Sequence, residues 1–336
     1  MTKRRIIIAA AILALAALAA AAGILMRARR HRANLPAPKP KQYRMFFGAM
    51  GTRACCTFYT TDPQKAEKAF AAVEREFDRV GKVCSVHDRR SELSRLNREA
   101  GKGFFVCSDL MWTVLTEARR AYKASDGAFD ITIKPLMDLR GFYRRQDKLP
   151  SDAEIAETLE RVGMDKVEWD DARHAVHFTV PGMAFDLGGV AKGHALDLAA
   201  AAVQKLGIRC GVIDLGGNLY LLPDPPPGKA FYNIGIRSPS GKGDSKTVLE
   251  LPGSCAVATS GSYERFVELE GKRYGHIVDP ATGNAPYLAR SATAVAPTAI
   301  ESDWLSSTVF LRGEKIVPRL KKFVPDAKFT ITDAGQ

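Results

Sequence analysis

The chain is predicted to be an α+β protein, and three observations carry that. Helical and strand-like segments alternate irregularly, with no regular βαβ series. The strands between residues 208 and 295 sit close together around short turns, as hairpins do. No repeat or heptad recurs in the 336 residues. Taken in order, residues 45–59 are rich in Phe, Thr and Cys and read as one strand with soft points at Gly48 and Gly51. Residues 62–80 set Ala66, Ala69, Phe70, Val73, Phe77 and Val80 at helical spacing behind the start signal Thr61-Asp62-Pro63. Residues 91–97 and 109–125 read as a short and a longer helix, the latter closed by Asp126-Gly127, and 151–162 as a helix introduced by Pro150-Ser151. Strands are expected at 167–169 and 176–180 around Asp170-Asp171-Ala172, and at 183–186. Residues 193–206 form an Ala-rich helix stopped by Gly207. Strands at 211–214 and 218–222 flank Leu215-Gly-Gly217, and further short strands are expected at 232–237, 246–251, 254–260 and 266–269. Helices at 303–311 and 314–323 complete the reading.

At 46% hydrophobic, a chain of this length can bury a substantial core. The net charge of +12 points first to nucleic acid, but its distribution does not. Residues 1–42 hold nine Lys or Arg and no acid, which leaves forty basic against 37 acidic residues in the rest. No basic tract interleaved with aromatics stands out there, so the footprint of a DNA or RNA binder is missing and no nucleic-acid partner is expected.

The basic excess flanks residues 6–26, which are uncharged and mostly apolar; as a helix at about 1.5 Å per residue they span roughly 31 Å, enough to cross a bilayer. Residues 1–26 are therefore read as a transmembrane signal anchor, with the remaining chain on the periplasmic, extracytoplasmic side of the membrane. A cleaved signal peptide, cut among the small residues at 16–23, is the alternative. Basic residues on both flanks leave the positive-inside rule undecided. Residues 27–44 form a basic, Pro-rich tether and 45–336 the folded domain. The six cysteines show neither CxxC nor Cys/His ligand spacing, which argues against zinc and for small buried thiols.

Four constellations bear on chemistry. Asp303 and Ser307 stand four apart, on one side of a helix: hard oxygens suited to Mg²⁺, or simply a capped helix start with Asp303 at the N-terminus. Asp186-Leu-Gly-Gly-Val-Ala-Lys-Gly193 leads from a strand into a helix; its glycines let backbone approach a ligand, and the helix start favours phosphate, although an ordinary strand–turn–helix junction reads the same way. His276 precedes the turn Asp279-Pro-Ala-Thr-Gly283 and could serve as a general base or as a plain hydrogen-bonded residue. Asp130 binds substrate or caps the segment starting at Ile131, and Asp214 and Asn218 flank a Gly-Gly turn that reads as structural.

In sequence order these pieces resemble the ApbE family, the FAD:protein FMN transferases. The matching stretches are Met50-Gly51-Thr52, Ser91-Glu-Leu-Ser-Arg-Leu-Asn97, Asp126-Gly-Ala-Phe-Asp130 with Pro135-Leu136, Asp186 to Gly193, Asp214-Leu-Gly-Gly-Asn218, Ala258-Thr-Ser-Gly261, His276-Ile-Val-Asp-Pro-Ala-Thr-Gly283 and Asp303 through Ser307. The resemblance implies an ApbE-like, T-fold-like arrangement of mixed sheets with packed helices. It also implies a Mg²⁺-dependent enzyme that splits FAD at its pyrophosphate, moves FMN to a Thr hydroxyl of an acceptor protein and releases AMP. By the same resemblance Asp303, Ser307 and the Gly189 carbonyl would hold Mg²⁺. Met50, His87, Ala128, Phe129, Asp130, Asp186, Lys192 and Val278 would line the FAD site, and His276 would be the base. Ser307 stands where the family usually has Thr, and His87 where an aromatic residue is expected. The family's acceptors are often subunits of membrane redox complexes with domains outside the cytoplasm, which suits a membrane-held enzyme. Two other readings remain open: a Mg²⁺-dependent FAD pyrophosphatase with water as acceptor, and a flavin-binding carrier without turnover.

Overall fold

Lys41–Ala49 (β1) and Thr52–Thr60 (β2) pair antiparallel through a two-residue turn. Met50 and Gly51 take φ of +48° and +72° there, the left-handed pair that suits right-twisted strands. One strand was expected across residues 45–59; the turn folds it in two, and β1 takes in residues 41–44, which the sequence reading assigned to the tether. The computed structural model describes residues 18–24, 26–27, 39–143, 146, 148–239, 247–262, 266–287 and 290–333. The span expected at 6–26 therefore lies mostly outside the described residues. Of it, 18–24 and 26 are helical, with Leu18, Ile24 and Met26 exposed. Among the described residues no helix is long and apolar enough to cross a membrane.

The helices start where their caps dictate. Asp62 Oδ1 accepts from the N–H groups of Gln64 and Lys65 at 2.9 and 3.3 Å and opens Pro63–Cys84 (α1). Ser91 caps Glu92–Glu99 (α2). After the short strand Phe105–Val106 (β3), Ser108 caps Asp109–Ser125 (α3), which ends as Asp126 turns left-handed at φ +57°. A 3₁₀ turn, Ile131–Ile133, precedes Lys134–Leu139 (α4), and a capping box of Ser151 and Glu154 starts Asp152–Leu159 (α5). Val167–Asp170 (β4) and Ala175–Phe178 (β5) join β3 in a small sheet of order β3-β5-β4.

Residues 183–186 form no strand. The side chain of Asn97 takes the partner's place: its amide brackets the Phe185 backbone, donating to the carbonyl at 2.9 Å and accepting from the N–H at 2.7 Å. Next come Ala191–Lys205 (α6), then Gly211–Leu215 (β6) and Asn218–Leu221 (β7) joined by Gly216-Gly217, then the hairpin of Tyr232–Ile236 (β8) and Thr247–Leu251 (β9). Cys255–Gly261 (β10), the pair Phe266–Leu269 (β11) and Lys272–Gly275 (β12), and Arg290–Ala296 (β13) follow. Ala299–Arg312 (α7), a 3₁₀ turn at Gly313–Ile316, Val317–Leu320 (α8) and Lys328–Asp333 (β14) end the described chain. The helix expected at 303–311 starts four residues earlier, capped by Thr298; the one expected at 314–323 is only a 3₁₀ turn and one short helix.

The main sheet runs β1-β2-β6-β7-β10-β13-β14, with every neighbour antiparallel. Alternation sorts its side chains: Ala54, Cys56, Phe58, Ile213, Ala256 and Ala294 face a core built with α1, α3, α6 and α7, while Leu221, Val257 and Val295 pack under the β8–β9 hairpin. Helices on one face of an antiparallel sheet make an α+β architecture. All six cysteines are free thiols; Cys56, Cys84 and Cys107 are buried, and burial raises their pKa values, to about 12 for Cys84 and Cys107. The strand register puts the Met50-Gly51 turn, the Gly216-Gly217 turn and the Ser260-Gly261 end of β10 at one end of the sheet. The candidate site is there.

Candidate active site

Asp303 lies within the second turn of α7, only 4% exposed. It does not cap its own helix, since Thr298 does that. It caps the start of α6, which has no side-chain cap of its own: the Gly193 N–H donates to Asp303 Oδ2 at 3.1 Å. In return α6 caps α7, because Asp197 accepts from the N–H groups of Ala299 and Ile300 at 2.7 and 2.9 Å. Burial pushes the Asp197 carboxyl up to about 6. The two helices can cap each other only because they nearly touch. A Cβ on Gly193 would lie 2.3 Å from the Ala299 carbonyl oxygen and 2.5 Å from Ile300 Cα.

A buried carboxylate is costly unless its oxygens are engaged. Asp303 Oδ1 takes the Asn218 amide at 2.8 Å and stands 3.4 Å from the Lys192 ammonium. Asn218 begins β7, so the Gly-Gly turn read as structural delivers a side chain into the site, while Asp214 does stay local, accepting from the Gly217 N–H at 2.8 Å. One turn beyond Asp303, Ser307 Oγ lies 3.1 Å from Ser260 Oγ, which also meets Ser306 Oγ at 2.9 Å. Ser260 sits in a strand whose alternation gave no sign of it, and only the pairing of β10 beside α7 places it here.

The oxygens suit a hard cation. Lys192 Nζ sits between the Gly188 carbonyl at 3.2 Å and Asp303 Oδ1, which marks a spot where a positive charge meets a neutral and an anionic oxygen at once. Among the described residues no group of three or more His, Cys, Asp or Glu could hold a metal, so any ion here would rest on one carboxylate and neutral oxygens. Mg²⁺ commonly binds that way, with substrate phosphates and water completing its shell. Gly189 has room for no side chain, because a Cβ would be 2.8 Å from the Phe129 ring.

Asp186 Oδ1 accepts from the Gly188 N–H at 2.8 Å and Oδ2 from the Tyr143 hydroxyl at 2.6 Å. The Tyr143 ring meets His87 edge-on at 5.2 Å and joins the apolar group formed by Val278, Leu136 and Ala285. Tyr143 was not among the expected residues; a lone Tyr after a short helix carries no pattern. Met50 approaches α1 at Gly81, a few residues before His87, and Ala128 is buried. Asp130 is buried. Its carboxylate, pushed upward by burial, caps the 3₁₀ turn by accepting from Thr132 N and Oγ1 and from Met164 N, so of the two readings the cap is what its oxygens do.

His276 directly follows β12 and is half-buried. Its neighbour Gly275 lies against Ser262, two residues past the Ser260 that touches Ser307. Polar contacts therefore connect Asp186, Lys192 and Asp303 through Gly188, and Ser307 to the Asp303 carbonyl at 3.4 Å, with His87 and Val278 meeting Tyr143.

The same order of pieces is matched by the model of the ApbE family over residues 50–327. The chain belongs to the ApbE family. A curated ApbE-family relative from Vibrio cholerae, the FAD:protein FMN transferase, is 32% identical over 249 residues, covering 72% of this chain and 73% of its own. The crystal structure of the ApbE protein of Thermotoga maritima superimposes with a TM-score of 0.79 at 29% identity, covering 88% of this chain and 95% of the other. The flavin transferase ApbE of Vibrio cholerae gives 0.75 at 25% identity, with 88% and 98% covered.

Proposed function

We propose that this ApbE-family chain is an FAD:protein FMN transferase that moves FMN from FAD to a Thr hydroxyl of an acceptor protein, depends on Mg²⁺ and releases AMP. One observation carries the reading: Asp303 is held against Lys192 and the Gly193 N–H, so the glycine-rich stretch and the Asp/Ser helix share one anionic, oxygen-lined spot. Asp303, Ser307 and the Gly189 carbonyl would hold Mg²⁺, which when bound neutralises charge on phosphate oxygens. Lys192 adds a second positive charge beside that spot, and the dipole at the start of α6 favours phosphate. Asp186 and Lys192, with Met50, His87, Ala128, Phe129, Asp130 and Val278, would bound the flavin dinucleotide.

His276 takes the proton from the Thr hydroxyl as its oxygen bonds to the phosphorus of the FMN half. The bond from that phosphorus to the bridging oxygen breaks, and AMP leaves with the electron pair. A base so placed is worth typically ~10²–10⁴-fold. Residues 1–26 would anchor the enzyme with its folded domain on the extracytoplasmic side, where subunits of membrane redox complexes present their domains.

The test is incubation with FAD, Mg²⁺ and a protein substrate of the Vibrio cholerae relative. Covalent flavin fluorescence on that protein supports transfer. Free FMN alone would move the reading to a pyrophosphatase, and unchanged FAD to a carrier.

A further inference from the structure

The loop that follows His276 is held from two sides. Asp279 N donates to the Asn284 carbonyl at 2.7 Å and Gly283 N to the Asp279 carbonyl at 2.8 Å, which closes residues 279–284 on themselves. Gly283 seals the packing: at φ +67° it favours glycine, and a Cβ would lie 2.6 Å from Ile155 Cγ2 and 3.1 Å from Leu136 Cδ2. Arg140, buried just past α4, donates Nε to the Gly283 carbonyl and Nη2 to Asn284 Oδ1. From the opposite side Arg312, the last residue of α7, forks onto Asp279, with Nη1 to Oδ2 at 2.6 Å and Nη2 to Oδ1 at 2.8 Å. The carboxylate of Asp279 also accepts from the Ala281 N–H at 3.0 Å, so the fork grips the turn itself.

Arg312 is five residues beyond Ser307 on the helix that carries Asp303. We propose that the Arg312–Asp279 fork is a positioning device that sets His276 against Asp303 and Ser307, a role that rests on His276 being the base. Two parallel hydrogen bonds fix an angle as well as a distance, which a point charge cannot do. With Val278 buried beside Leu136 and Ala285, the two residues between His276 and Asp279 leave little slack. Release of one end lets the imidazole swing out of line with the acceptor hydroxyl. Misplacement by about 1 Å can cost on the order of 100-fold in rate.

The experiment measures FMN transfer by the full chain to a protein substrate of the Vibrio cholerae relative, with Mn²⁺ binding followed by electron paramagnetic resonance and FAD binding by flavin fluorescence. Arg312→Lys keeps the charge and loses the fork; it is expected to lower kcat by roughly tenfold, and Asp279→Asn by roughly a hundredfold. The KM for FAD and the Mn²⁺ affinity should stay within about twofold, since the fork touches neither. Asp279→Asn retains an oxygen for the Ala281 N–H, so it stands in if Arg312 variants fail to fold. His276→Ala runs alongside. If it is slow while both fork variants turn over at the wild-type rate, the positioning role is wrong and the base stands. If His276→Ala itself turns over normally, the base assignment and the fork's role fall together. Loss of FAD and Mn²⁺ binding in the fork variants would reduce the fork to general scaffolding and overturn the proposal.

Discussion

Replacing Gly193 by Ala puts the helix–helix contact to the test. In an exposed helix interior the change would help, since Ala is favoured over Gly by about 1 kcal/mol. Here the added methyl would lie 2.3 Å from the Ala299 carbonyl oxygen, 2.5 Å from Ile300 Cα and 2.6 Å from the Ala299 carbonyl carbon. All three are backbone atoms, so no side chain can rotate away. Restoring ordinary contact near 3.5 Å requires α6 and α7 to part by roughly 1 Å. Such overpacking costs about 1–3 kcal/mol. The same movement would stretch the 3.1 Å bond from Gly193 N to Asp303 beyond hydrogen-bonding range, and a bond to a charged group contributes about 1.5–3 kcal/mol. After the propensity gain, a net loss of about 2–4 kcal/mol is expected. Urea unfolding of the full chain followed by circular dichroism measures it, with Gly101→Ala, where no atom lies within 4 Å, as the control expected to move little. A Gly193→Ala protein as stable as wild type would refute the close approach, and with it the mutual capping.

Three further outcomes follow from the same geometry. Asp303→Ala should abolish Mg²⁺-dependent FMN transfer and leave the Lys192 ammonium without its carboxylate; full activity would remove the metal assignment. Ser307→Thr should keep transfer within a few-fold, whereas Ser307→Ala should raise the Mg²⁺ concentration needed for half-maximal rate; equal Mg²⁺ curves for wild type and Ser307→Ala would remove the hydroxyl from the ligand set. Asp197 has a native carboxyl raised from 3.8 to about 6, so the folded state holds its proton where the unfolded chain has lost it. Its contribution to stability therefore falls as pH rises from about 4 to about 6, by up to about 3 kcal/mol, and is flat above that window. Asp197→Asn should lack this slope, and identical stability-against-pH curves for the two proteins would contradict the burial of that carboxylate.

Several features could be read before any tertiary structure. Asp62, Ser91 and Ser151 open their helices because a cap acts within four residues, and the Gly216-Gly217 turn declares itself by glycine, whereas the Met50-Gly51 turn reads only as a soft point in one strand. The misplaced elements failed for non-local reasons. Residues 183–186 look like a strand by composition, yet Phe185 pairs with an Asn side chain 88 positions upstream and Asp186 N with the Ile131 carbonyl, not with a strand. The early start of α7 is the exception: Thr298 caps it locally, a signal present in the sequence, and Asp197 adds a cap from another helix. Asn218 and Ser260 lie in stretches that carry the resemblance, but that they meet Asp303 and Ser307, and that Tyr143 meets Asp186, only the fold decides.

By itself the order of residues determined the α+β class and most helix starts, which depend on spacing along the chain, and it carried the motifs whose order resembles the family. Where the charge of Asp303 points was decided by tertiary structure alone. An orphan N–H at the start of one helix must be satisfied by whatever packs against it, and the contact at Gly193 makes that partner a carboxylate 110 residues away.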